Sequence, residues 1–136
     1  GTPIVLHDPE GLVVLRHDDE QEIRARIAET LDQVRQRQPV AEWLVRRAIR
    51  RDQPAEAIAF YLRFGYTPLV QLLRIKHCPW RHDFGPRYLR ADLPADVADR
   101  LEALVPGEDL DARASACFAW VRELLAEQGD TPPEVV

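Results

Sequence analysis

Methionine is absent from all 136 residues, and cysteine is confined to Cys78 and Cys117. The first absence, with the opening Gly-Thr-Pro, leads us to expect a processed or excised piece. The two cysteines lie too far apart in sequence to form the paired spacing of a zinc site or a redox dithiol, so a reduced, cytoplasmic protein is expected. No apolar run approaches the ~20 residues needed to span a bilayer, and no charged-then-apolar leader opens the sequence, so no membrane partner is expected. Positive charge is in deficit, with 18 Lys and Arg against 23 Asp and Glu and a net charge of -5. That balance argues against a nucleic-acid coat, which needs an extended basic face, and no nucleic-acid partner is expected. What the chain has in quantity is apolar surface. A hydrophobic content of 46% over this length fills one core without disulfides or metals.

Periodicity predicts a mainly α chain: a bundle of five to six helices over residues 18–129, preceded by a short β-hairpin over 1–17 and followed by a frayed tail over 130–136. The hairpin rests on two apolar runs, Ile4 to Leu6 and Leu12 to Leu15, separated by the turn-rich His7 to Gly11. From Asp18 the period becomes helical, with Ile23, Ile27, Leu31 and Val34 on one face and Asp18 or Asp19 as cap. This helix is expected to stop near Arg37, interrupted by Gln38 and Pro39. A second then carries Val40, Trp43, Leu44 and Ala48 inward and exposes Arg46, Arg47, Arg50 and Arg51 to solvent. Pro54 opens a third helix, with Ala57, Ile58, Tyr61, Leu62 and Phe64, which Gly65 is expected to end. Thr67 as cap and Pro68 in the first turn then open a fourth, and its Leu69, Val70, Leu72, Leu73 and Ile75 make it apolar nearly all round. Such a helix belongs at the centre of its bundle. Pro94 starts another, with Val97, Leu101 and Leu104 on one face and Pro106-Gly107 closing it. The last runs from about Asp111 to Gln128, where Cys117 and Trp120 are read as packing.

One segment does not fit this grammar. Arg74 to Pro94 packs Arg74, Arg81, Arg87, Arg90, Lys76, His77, His82 and Asp83 among Trp80, Phe84 and Tyr88 with little apolar periodicity. Cations gathered in an acidic chain suggest an anionic ligand, since guanidinium groups offer paired donors to phosphate or carboxylate. Arg81 and Arg87 are placed to flank such a group, and His82 and Asp83 to pair. The aromatics anchor the loop, with Phe84 expected to plug the bundle. His77, Cys78, His82 and Asp83 include zinc-ligand types, but their spacing matches no common zinc arrangement and no metal ligand is assigned. His77 and Cys78, neighbours at a helix end, point in different directions and make a poor nucleophilic pair.

Leu72-Leu73-Arg74 followed by Pro79, then Arg81-His82-Asp83-Phe84-Gly85, Arg87-Tyr88-Leu89 and Asp92-Leu93-Pro94, resembles the C-terminal helical region of bacterial nucleotidyltransferases of the DNA polymerase beta type, the group that includes aminoglycoside adenylyltransferases. A weaker likeness extends from Pro3 to roughly Leu125. The resemblance implies two domains: a catalytic one that binds magnesium-nucleotide, and a helical one that closes the cleft and shapes the acceptor pocket. The catalytic signature of that family, a Gly-Ser turn followed by two carboxylates one residue apart on a strand, does not occur in this sequence. Asp109-Leu-Asp111 has the spacing but reads as a helix cap. The resemblance therefore assigns no catalytic residue here and no cofactor to this chain alone. Nucleoside triphosphate and Mg2+ belong with an upstream catalytic domain, the expected partner. Arg74, Arg81, His82, Asp83, Arg87 and Tyr88 are the positions it gives for binding a small hydroxyl or amine acceptor, and a homodimer is compatible with it. Two other readings stand beside it. One is a stand-alone helical interaction module, antitoxin-like or a regulatory adaptor. The other is a ribonuclease on the related bundle of prokaryotic nucleotide-binding proteins, whose Arg-polar-His signature this chain departs from: Arg74 and His77 are too close, Pro79 separates Arg74 from His82, and Arg81 abuts His82.

Overall fold

Ile27, Leu31, Val34, Ala41, Val45 and Ala48 are buried, and with Gln38 between Val34 and Ala41 they recur in alternating steps of four and three. That spacing holds one phase through Pro39, and in the computed structural model, which describes the backbone of residues 9–129 and the side chains of residues 19–129, a single 42-residue helix α1 runs Pro9–Arg50. The break expected at Gln38 and Pro39 does not occur. An interior proline costs about 3 kcal/mol. A break there would uncouple Ala41, Val45 and Ala48 from the stripe upstream, and a fully buried aliphatic side chain is worth about 1.5–3 kcal/mol. Pro39 itself sits on the exposed face. The same phase corrects the inward face of this half of the helix: Val40 and Trp43 are 60% and 52% exposed.

The second strand of the expected hairpin, Leu12 to Leu15, lies within α1, as does the Pro9 to Gly11 part of its expected turn; the rest of the turn, His7 and Asp8, and the first strand, Ile4 to Leu6, fall outside the described residues. A short apolar run suits either a strand or a helix, and continuity with the long stripe favours the helix here. The tail over 130–136 also falls outside the described residues.

Helix α2 (Pro54–Tyr61), a π turn (Leu62–Tyr66) and α3 (Thr67–His77) form one continuous rod, so Gly65 does not end a helix and Thr67, with helical dihedrals, does not cap one. The sequence contains the reason. Ala57, Tyr61, Gly65 and Leu69 are all buried at three successive steps of four. Each step overshoots a 3.6-residue turn by ~0.4 residue, and a widened turn absorbs the total. The widening also makes room for Pro68, whose ring would otherwise meet the carbonyl of Phe64. Gly65 faces α6 (Leu110–Gln128) at close range: a Cβ there would sit 3.3 Å from Phe118 Cζ and 3.5 Å from Cys117 Sγ.

Helix α3 is the centre of the bundle, with Leu69, Val70, Leu72, Leu73, Arg74 and Ile75 buried between α1 and α6. Helix α1 runs antiparallel to α6, since Arg35 donates to Leu125 O at 3.1 Å while Arg122 meets Glu42 at 2.6 Å. A 3-10 turn (Pro79–Arg81), α4 (Leu89–Asp92) and α5 (Ala95–Glu102) connect α3 to α6. Ala98 and Leu101 turn α5 inward, and Arg100 stacks 3.9 Å from the centroid of Trp120. The buried Tyr61 hydroxyl donates to Leu104 O at 2.5 Å. Asp109, at φ +53°, accepts from Ala112 N at 3.2 Å and caps α6, the role its sequence context predicts. Cys117 and Trp120 are core residues, and burial pushes the Cys117 thiol up to about 12. Among the described residues there is no strand, and no helix is long and apolar enough to cross a membrane.

Candidate functional site

Arg74 lies on the inward face of the last turn of α3, yet it is completely buried. A buried guanidinium must spend its donors, or its desolvation is uncompensated. Here the Nε donates to Gly85 O at 2.7 Å, Nη1 to Asp92 Oδ2 at 2.8 Å and to Cys78 Sγ at 3.5 Å, and Nη2 to Arg87 O. One helix side chain thus fixes two main-chain carbonyls of the loop and the carboxylate beyond it. The other oxygen of that carboxylate, Asp92 Oδ1, accepts from Arg81 Nη1 at 2.8 Å.

Around this clamp the loop builds outward. His82 is buried with Nδ1 2.9 Å from Pro79 O, and because a carbonyl only accepts, Nδ1 carries the hydrogen. Phe84 is half-buried above the clamp rather than part of the core. Its ring centroid lies 5.8, 5.4 and 5.1 Å from the guanidinium carbons of Arg74, Arg81 and Arg87. Arg87 also donates through Nε to Phe84 O at 3.1 Å. Two residues reverse the chain with left-handed backbone, Gly85 at φ +62° and Tyr88 at φ +61°. Glycine takes this conformation without strain, whereas tyrosine takes it at a cost of roughly 1–2 kcal/mol. Tyr88 then enters α4 with 66% of its surface exposed.

The six residues singled out from the sequence therefore divide. Arg74, Arg81 and His82 hold the loop's shape. Asp83, Arg87 and Tyr88 face solvent on it, with the exposed Trp80 nearby and the outer part of Arg81 still accessible. The pairing considered for His82 and Asp83 is not formed; the ion pairs of the loop are Arg74–Asp92 and Arg81–Asp92. Asp92 carries no role in the sequence reading beyond its place in Asp-Leu-Pro. The available signal was an arginine among Leu72, Leu73 and Ile75 on a buried arc, which requires an anion nearby. Cys78 is buried and burial raises its pKa, so it is a poor nucleophile at neutral pH.

Hydrogen bonding from Arg74, with the charge of Arg81 adding to it, holds the Asp92 carboxyl below the usual carboxylate range. The folded protein then binds this proton less readily than the unfolded chain. The stabilisation is present in full above the unfolded value, about 4, and is lost as pH falls through the lowered one. Melting temperature followed against pH should show Asp92→Asn well below the wild type at neutrality, with the gap closing in acid. A gap of constant size would overturn the assignment.

No protein-family model matches the chain, and comparison with curated proteins and with solved structures finds no match for it.

Proposed function

We propose that this bundle is the substrate-binding, cleft-closing helical domain of a nucleotidyltransferase of the DNA polymerase beta type, working with a separate catalytic domain to pass a nucleotide to a small hydroxyl or amine acceptor. The observation that carries the reading is the loop of residues 79–88, held rigid from beneath by a buried arginine while Asp83, Arg87 and Tyr88 stay open to solvent. Rigidity matters because an acceptor must be held in a near-attack position. Asp83 can accept from a hydroxyl or ammonium group, Arg87 can meet an anionic oxygen, and the Tyr88 and Trp80 rings offer flat apolar surface. Both oxygens of Asp92 are taken by arginines, which closes that carboxylate to a metal ion. On this reading metal and nucleotide belong to the catalytic domain.

The reading frame that encodes Gly1 should, on this proposal, carry a Gly-Ser turn followed by paired carboxylates upstream. In the enzyme so completed, Asp83→Asn raises the KM for the acceptor by about tenfold or more, the loss of one hydrogen bond to a charged group. The KM for nucleotide and the melting temperature should stay put. An unchanged acceptor KM sinks the role of Asp83, and an upstream frame without the metal-binding motif sinks the family. The latter outcome would favour the interaction-module reading, which the exposed Val40 and Trp43 on α1, with Arg47 5.2 Å from the Trp43 ring, would then supply with a surface.

A further inference from the structure

A cleft of about 360 Å³ opens where α1, the π turn, the start of α3 and α6 meet, and shares no residue with the loop of residues 79–88. Its volume falls within the ~300–1,000 Å³ usual for small-molecule sites. Apolar walls come from Val34, Phe64 and Val121, and Arg37, Arg63 and Gln71 add polar groups. No carboxylate lines it, although acidic residues outnumber basic ones in the chain by 23 to 18. Among the described residues, the two arginines are both left without a carboxylate partner. Arg46, Arg81, Arg90 and Arg122 each hold a carboxylate, whereas Arg37 and Arg63 hold none among the described residues.

The π turn is the second, independent observation. It brings Arg63 and Phe64 to the cleft, with the guanidinium carbon 5.2 Å from the phenyl centroid. Such turns occur frequently at functional sites. The core side of this one is explained by Gly65 and Pro68, but neither accounts for two unpaired guanidinium groups beside an aromatic wall. Arginine recognises phosphate and carboxylate through paired donors and stacks on flat rings. We propose that this cleft binds a small organic anion, a phosphate or carboxylate carried on an aromatic body. Arg37 and Arg63 take the anionic end and Phe64 lies against the body.

Titration calorimetry on the 136-residue chain tests this with phenyl phosphate, benzoate, inorganic phosphate and phenol as probes. The expected result is that phenyl phosphate or benzoate binds at least about tenfold tighter than both phosphate and phenol, because only the first two supply both halves of the ligand. Whichever of the pair is tighter identifies the anion. Arg37→Gln and Arg63→Gln should each weaken that probe by about tenfold or more. Both side chains are exposed and neither holds an ion pair among the described residues, so melting temperature should move little, Arg63 losing only its contact with the Phe64 ring. Arg87→Gln, on the separate loop, should leave the affinity unchanged, which keeps this result independent of the acceptor proposal. Equal affinity for all four probes, or binding that survives both cleft substitutions, would overturn it.

Discussion

Replacing Arg74 by methionine lowers the stability of the bundle by about 3–5 kcal/mol, the cost of removing one partner from a buried ion pair. Methionine fills much of the same volume, so the loss is not a cavity effect. It comes from what remains: Asp92 keeps only the half-exposed Arg81, and the carbonyls of Gly85 and Arg87 lose their donor. A buried acceptor left without a partner costs about 1–3 kcal/mol. Lysine at this position does not restore the loss, because an ammonium group cannot match a planar fork directed at several separate acceptors. Urea unfolding measures the effect, and the double replacement Arg74→Met with Asp92→Leu should recover part of it by removing the orphaned charge. A loss below about 1 kcal/mol for Arg74→Met would mean that the clamp does not hold the loop.

Leu72→Ala costs about 2–5 kcal/mol. Leu72 is almost wholly buried on α3, which α1 and α6 enclose, so a truncation there leaves a void that the neighbouring helices cannot readily collapse into. The same truncation at the partly exposed Leu62, in the π turn, should fall within about 0.5 kcal/mol. Comparable melting temperatures for the two variants would remove α3 from the centre of the bundle.

The central place of α3 follows from Leu69, Val70, Leu72, Leu73 and Ile75, which leave a helix few faces for water. The α5 and α6 spans were equally legible, because Pro94 and Asp109 act as local start signals and nothing distant contradicts them. Pro39 and Gly65 misled for one shared reason. Each is a breaker by local preference, worth about 1–3 kcal/mol, and each sits in a helix whose flanking apolar residues keep a common phase. That phase was present in the sequence, in the steps from Ile27 to Ala48 and from Ala57 to Leu69, but it becomes decisive only when read across the breaker. Restarting the stripe at Pro39 turns Val40 and Trp43 inward, whereas continuing it leaves them exposed. In the loop, the gathering of cations was plain while their division of labour was not. Arg81 meets Asp92 rather than a ligand because Gly85 and Tyr88 turn the chain back on itself, and no periodicity records such a reversal.

What Arg74 grips in the loop is mainly peptide oxygen, at Gly85 and Arg87, and every amino acid offers one of those. The grip of Arg74 on the loop is thus indifferent to the side chain at position 83, and position 87 adds to it only the bond from Arg87 to Phe84 O. A lineage could rewrite these exposed positions one at a time, exploring new chemical preferences while inheriting the same scaffold. Innovation at the rim is decoupled from survival of the fold, and change at Arg74 or Asp92 is where the two meet again.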